Sequence, residues 1–336
     1  MVSAHSVHTW SGSPKPPRRH GKGLVIGAGG VTGLAWSAAT LVSLQEVAGW
    51  RASEARVLLG TSQGALLVSL LASGIDVDDL RRWYRRELPD GHPLRAKPPA
   101  RQVVAPVRKR PLPAAPKLTL RGVLQPHRVR PSVALSGLFP AGTMSLDDFL
   151  APLLALTKPG EWLGHPATRV VAVDYDSGER VAFGADGPAD IQQAVRASCS
   201  VPGVSPPVTI DGRRYVDGAV YSSTSADLLV GAPVDEIVVL APMAGATRWQ
   251  RPRSKGQAVD MVLRRFMQRR LEAEVSALRR AGYQVRVFTP TLADRAAMGT
   301  NPLSGRQRIA TFEAALRSGP ARVAEAMRQE SKLAAG

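Results

Sequence analysis

The chain has 336 residues, 44% hydrophobic and only 5% aromatic, with a formal net charge of +17 and a single cysteine, Cys199. That length allows one large core or two modest ones, and one cysteine excludes an intramolecular disulfide framework and a multi-cysteine metal site. Cys199 is expected as a small buried hydrophobe in a reducing, cytoplasmic setting, and the charge points to an anionic partner: nucleic acid, an anionic membrane surface or acidic ligands.

Residues 1–21 are polar, basic and rich in Pro, Ser and Gly, without an apolar signal region; a disordered tail is expected there. Ordered sequence begins with "GLVI", a short buried strand. It is followed by the glycine-rich turn "GAGGVTG" and a helix carrying Leu34, Ala38, Leu41 and Leu44 at helical spacing. "ARVLLG" reads as a second strand, "TSQG" as its turn, and "ALLVSLLASG" as a helix closed by Gly74. Residues 23–45 and 57–75 carry no charges and are long enough to span a bilayer. Their glycine and polar interruptions favour buried β-turn-α units over spans. The β-α-β-α order indicates an α/β fold with a mostly parallel sheet.

Residues 88–140 are rich in Pro, Arg and Lys with weak periodicity, and read as a basic insertion, partly ordered at best. "MSLDDFLAPLLAL" restores a helical face of Leu146, Phe149, Leu153 and Leu156. Two strands follow around Asp176-Ser177-Gly178, then the short helix "DIQQAVRASCS". "PPVTIDGRRYVDGAV" is a hairpin turning at Asp211-Gly212. "DEIVVLAPM" is a buried strand. Residues 256–281 form a helix with Val259, Val262, Phe266, Leu271, Val275 and Leu278 expected inward and arginines outward. "YQVRVFTP" is a last strand, and two amphipathic helices close the chain, the second over residues 321–336. The main domain is expected over residues 22–320.

Gly60-Thr61-Ser62-Gln63-Gly64 fits G-x-S-x-G between a strand and a helix. A tight strand-to-helix turn needs small neighbours two residues away, hence Gly60 and Gly64, and it projects the serine Oγ outward, beside the helix N-terminus. The bland reading is a plain turn with Ser62 as N-cap. A nucleophilic serine needs a base. His165 is the histidine in well-patterned sequence, and none follows it. A Ser62–Asp147–His165 order has no contextual support, so a carboxylate base is expected. Asp217, at the end of the second hairpin strand in "YVDGAV", is the candidate; Asp211 is already explained by its turn. In "GAGGVTG", consecutive glycines let backbone N–H groups approach an anion. A dinucleotide fingerprint would instead demand an acid at the end of the second strand, and "LLGTSQG" has none.

"GAGGVTGLAW", "GTSQG" and "DGA", together with "RASCSVPGVSPPVTIDGRRYVDGAVYSSTSADLL", resemble the patatin-like phospholipase family. The resemblance implies a three-layer α/β/α fold with a mostly parallel central sheet. It also implies a Ser-Asp dyad, with Ser62 as nucleophile and Asp217 as general base. Gly29 and Gly30 would form the oxyanion hole, and Gly27, Gly33, Gly60, Gly64 and Gly218 would support the motifs. The implied reaction is hydrolysis of lipid acyl esters through an acyl-enzyme, with no metal or cofactor. An acyltransferase, a thioesterase or an inactive lipid-binding relative shares the same frame. Thr32 stands where the family usually has Arg or Lys, so a cation near the bound anion is missing from the motif. The basic insertion and the arginine-rich helix are expected to reach an anionic membrane peripherally. No specific nucleic-acid partner is expected, because the insertion lacks a recognition motif and stacking aromatics.

Overall fold

A computed structural model of the chain describes residues 21–97, 112–165, 167–245 and 254–334. The N-terminal tail, Gly21 excepted, and residues 98–111 of the insertion lie outside the described residues. The strands are β1 (Lys22–Ile26), β2 (Ala55–Thr61), β3 (Thr168–Asp174), β4 (Arg180–Phe183), β5 (Val208–Ile210), β6 (Arg213–Asp217), β7 (Glu236–Leu240) and β8 (Gln284–Phe288). β3, β2, β1, β7 and β8 lie side by side and parallel, while β4 and β6 run antiparallel to β3, and β5 closes the hairpin with β6. The continuous apolar runs of the parallel strands fit a sheet buried on both faces.

Helices cover both faces. Leu24, Ile26, Leu58, Val170 and Val238 pack against α1 (Gly30–Ala48), α2 (Gln63–Ala72) and α7 (Ile191–Ser198). α3 (Val77–Arg85) and α6 (Asp147–Leu156) extend that layer. The alternate residues Val25, Leu59, Ile237 and Val239 pack against Leu271, Val275 and Leu278 of α8 (Lys255–Arg280). This is the α/β/α layering with a mostly parallel sheet that the sequence implied. Among the described residues no helix is long and apolar enough to cross a membrane.

Four features differ from the sequence reading. Gly30 to Gly33 belong to the first turn of α1, which leaves Gly27-Ala28-Gly29 as the loop. The insertion is more ordered than expected: α4 (Pro116–Leu124) and α5 (Pro131–Ser136) pack Leu118, Val129 and Val133 against Val173, Tyr175 and Val216 of the sheet. The chain's last described helix is continuous, following α9 (Leu292–Met298) as α10 (Arg308–Ala334) and passing through Pro320. Gly319 presses its backbone onto Ser43 of α1, where a Cβ would collide with the serine side chain. Fully buried Asp294 then ties α9 to both helices, accepting from Trp36 Nε1 at 3.1 Å, Ser318 Oγ at 2.7 Å and Arg322 at 2.6 Å.

The fourth difference is the face of α8. Val262 precedes Leu271 by nine residues, about half a turn off at roughly 100° per residue. The buried positions are Arg264, Met267, Leu271, Glu274, Val275 and Leu278. Val259 and Val262, expected inward, are each 68% exposed, and Phe266 is 39% exposed. Polar anchors hold this rotation: Arg264 donates to the Pro242 carbonyl at 2.8 Å, and Glu274 accepts from Thr224 Oγ1 at 2.6 Å.

Candidate active site

One edge of β3 brings the two singled-out side chains together. β4 pairs with Val170 to Val173 along one edge. β2 and β6 must therefore share the other, with Thr61 opposite Val171 and Asp217 opposite Ala172. The C-terminal ends of β2 and β6 thus meet head to head, and Ser62 and Asp217 sit at the junction. Gly218 is required there, because a Cβ would stand 2.7 Å from the Val171 carbonyl oxygen and 3.0 Å from Thr61 Cγ2.

Ser62 leaves β2 with φ 57° and ψ −124°, and α2 starts at the next residue. This conformation is strained for a residue with a Cβ and is the one a sharp strand-to-helix elbow demands. Its flanks have no room. A Cβ on Gly60 would lie 2.5 Å from Ala65 Cα, and one on Gly64 would lie 2.5 Å from the Ile26 carbonyl carbon and closer still to its oxygen. Ser62 makes no side-chain cap bond to α2, so the plain N-cap reading does not describe it. Its backbone N–H instead donates to Ser198 Oγ at 2.8 Å, which itself donates to the Val171 carbonyl at 2.6 Å.

The elbow is pinned to the glycine loop by Gln63, whose fully buried Nε2 donates to the Gly27 carbonyl at 2.5 Å. The Gly27 and Ala28 amides donate to the Leu240 carbonyl at the end of β7 and the Ser223 carbonyl, at 2.9 and 2.8 Å. Gly29 and Gly33 make close backbone and Pro242 contacts, and Gly30 has φ 60° against the Pro302 carbonyl. Among the described residues, the amides of Gly29, Gly30 and Gln63 have no hydrogen-bond acceptor. Such free donors beside a helix N-terminus suit a developing oxyanion.

Asp217 is only 2% exposed. Burial pushes its carboxyl up to about 6, opposed by hydrogen bonds from the Ser62 hydroxyl and the Ala219 backbone N–H, the latter at 2.8 Å. One oxygen is thus oriented by the backbone while the group faces the serine. A carboxylate made more basic by desolvation is the kind of group that takes a proton near neutrality.

Other groups considered in the sequence fall elsewhere. His165 bonds Thr168 Oγ1 and the Ala55 carbonyl, both at 3.0 Å, at the start of β2. A seven-residue strand, roughly 20 Å long, separates it from Ser62. Asp147 pairs with Arg196 at 2.8 Å. Cys199 is buried as expected, and it also touches the site: burial and the Asp217 charge push its thiol well up while Ser62 bonds it. The roles of Ser198, Cys199 and Gln63 escaped the sequence reading. "RASCS" signals only a helix end, and Gln63 fills a variable slot of the motif.

Two cavities flank the first turn of α1, and neither is lined by Ser62 or Asp217. One, of about 620 Å³, has Val31, Leu34, Leu88 and Phe149 in its lining together with Arg86, Arg95, Asp148 and Arg308. The other, of about 440 Å³, runs from Gly29 and Thr32 to the start of α8.

The sequence matches the patatin-like phospholipase family over residues 24–230. The chain belongs to the patatin-like phospholipase family. That match spans the glycine loop, the elbow and Asp217, so the motifs that built the site are those of a patatin-like chain. Among solved structures, this patatin-like chain is similar to VipD from Legionella pneumophila, at 16% identity over 93% of this chain and 67% of VipD, with a TM-score of 0.41. It is also similar to the type III effector ExoU, at 16% identity over 94% of this chain, with a TM-score of 0.35, and it spans 54% of ExoU's length.

Proposed function

We propose that the chain is a serine lipid acyl hydrolase of phospholipase A or esterase type, working through a Ser62–Asp217 dyad. Family membership supports lipid ester hydrolysis as the reaction class. The observation that carries the residue assignment is the strained Ser62 at φ 57° facing the buried Asp217. Ser62 Oγ attacks the acyl carbonyl as its proton passes to Asp217. The oxyanion receives hydrogen bonds from the amides of Gly29 and Gly30 and from that of Gln63. Asp217 returns the proton to the departing alkoxide, leaving an acyl-enzyme. Water then attacks, its proton passes to Asp217, and the fatty acid leaves as Ser62 is reprotonated. The apolar part of the cavity beside α1, with Val31, Leu34, Leu88 and Phe149, suits the acyl chain. Hydrolysis of medium-chain p-nitrophenyl esters, with labelling of Ser62 by a fluorophosphonate, tests the reading; no turnover and no label in the presence of lipid vesicles would count against it.

A pH profile follows from Asp217. It must be ionised to accept a proton, and its pKa is raised to about 6. The log of kcat/KM should be flat above neutrality and fall with unit slope below about 6, because kcat/KM reports the free enzyme. A fall centred near the ordinary value of 3.8 would contradict this environment for the base.

The lipid surface is met by two apolar stripes with basic neighbours. On α4 these are Leu120, Val123 and Leu124, beside Lys117 and Arg121. On α8 they are Val259, Val262, Leu263 and Phe266, beside Arg265 and Arg269. An exposed apolar stripe edged by cations fits an anionic interface. Removing residues 95–130 would strip Leu118 and Val129 from the α4–α5 core, so point changes are the cleaner test. The double variant Val262→Glu/Phe266→Glu should partition onto phosphatidylglycerol vesicles at least tenfold more weakly, since each buried side chain contributes about 1.5–3 kcal/mol. Equal sedimentation of both proteins with vesicles would show that α8 is not the docking face.

A further inference from the structure

The two strand ends that carry Ser62 and Asp217 are not tied to each other by the sheet. β2 and β6 each pair with β3, and they do not pair with one another. Their separation must be set by a group that touches both, and the end of α7 does so. Ser198 Oγ accepts from the Ser62 amide at 2.8 Å and donates to the Val171 carbonyl of β3 at 2.6 Å. Two residues on, the Ser200 carbonyl accepts from the Asp217 amide at 2.9 Å. Both serines are buried. Between them Cys199 caps α7, and its thiol bonds Ser62. The helix that carries this grip is itself anchored: Asp190 and Gln193 form a capping box at its start, and Arg196 in its last turn pairs with Asp147 at 2.8 Å.

The grip bears on the one strained residue of the elbow. A residue at φ 57° with a Cβ relaxes by rotating its peptide planes. The bond to Ser198 holds the plane that carries the Ser62 amide, so the strain is kept and the hydroxyl stays aimed. That hydroxyl has one proton and two neighbours, Asp217 and Cys199. Near neutrality Asp217 is ionised and the thiol is not, so the carboxylate is the stronger acceptor and the S–H is left to donate to Ser62 Oγ. We propose that Ser198 is a positioning residue: its hydroxyl, together with the Ser200 carbonyl, clamps the backbones of Ser62 and Asp217 at the separation over which the serine proton passes to the carboxylate. The effect on rate rests on the acyl-hydrolase reading.

Ser198→Ala removes the acceptor and leaves the Ser200 carbonyl and Cys199 in place. On a medium-chain p-nitrophenyl ester kcat should fall about 10- to 100-fold with KM within about twofold, the mark of misplaced groups rather than lost binding. Carboxyl 13C NMR should show Asp217 titrating above the parent value of about 6, because a Ser62 hydroxyl that swings away no longer bonds the carboxylate and no longer lowers it. Ser43→Ala is the control. It deletes another buried hydroxyl, which bonds the Ala39 carbonyl at 3.1 Å, roughly 20 Å along α1 from Gly30, and it should move neither kcat nor the titration. Should the alanine variant fail to fold, Ser198→Cys keeps a weaker acceptor at the same place and should show the same two changes in smaller measure. An unmoved Asp217 titration would overturn the proposal, as would an unmoved kcat or an equal loss in Ser43→Ala. A parent that hydrolyses no ester would count against the acyl-hydrolase reading, and the titration would still decide whether Ser198 holds the pair.

Discussion

Asp217→Asn is expected to lower kcat/KM for a medium-chain p-nitrophenyl ester by roughly 100- to 10,000-fold, the range of general-base catalysis, without loss of fold. Asparagine keeps the shape and can still accept from the Ala219 amide, which now meets Asp217 Oδ1 at 2.8 Å. It cannot take the Ser62 proton. The stability readout should move the other way. The folded pKa is raised from 3.8 to about 6, so the folded state binds this proton more tightly than the unfolded chain does. Stability from this group is therefore present at low pH and is lost as the pH rises through about 6. At neutral pH the asparagine variant, free of a buried charge, should unfold at the same temperature as the parent or higher. An inactive variant with a lowered Tm would point to a structural role. Retained activity would mean that another group serves Ser62; His165 is occupied at the far end of β2.

Gly64→Ala is the second large effect. The added methyl would meet the Ile26 carbonyl, its carbon 2.5 Å away. Relief by movement is blocked, because Ile26 ends a central strand paired with β2 on one side and β7 on the other. Overpacking commonly costs about 1–3 kcal/mol and more when backbone must shift, so a loss of about 3 kcal/mol or greater is expected in urea unfolding. Activity should fall with it, since the elbow cannot close on the glycine loop. Gly164→Ala provides the contrast, having open space where its Cβ would stand, and should be near neutral. If both variants melted alike, the close approach of the elbow to β1 would be wrong.

Much of the site was legible before any fold. G-x-S-x-G is a local steric requirement, so Gly60, Ser62 and Gly64 could be read from one turn, and their clashes are those the turn demands. The hairpin at Asp211-Gly212 was equally local, with both residues at positive φ. Asp217 was found by elimination: its neighbour Asp211 had a turn to explain it and Asp217 did not. The α8 face was misread. The apolar residues of α8 do not share one face at 3.6 residues per turn, so Val259 and Val262 lie outside while Leu271 is buried. The insertion reads as partly ordered at best because its composition hides two short helices, which pack on Val173, Tyr175 and Val216 of the sheet.

The sequence by itself determined the α/β order, the elbow and the glycine loop, because each rests on short-range sterics or on a repeat within one element; Asp217 it offers as the acid that no turn explains. Only the tertiary structure decided that β2 and β6 end against each other on one edge of β3, which brings residues 62 and 217 together across 155 positions of chain. It also decided that Ser198 holds the Ser62 amide and that Gln63 ties elbow to loop. These are contacts between elements distant in sequence. They are set by how helices seat on a twisted sheet, and no local pattern carries that information.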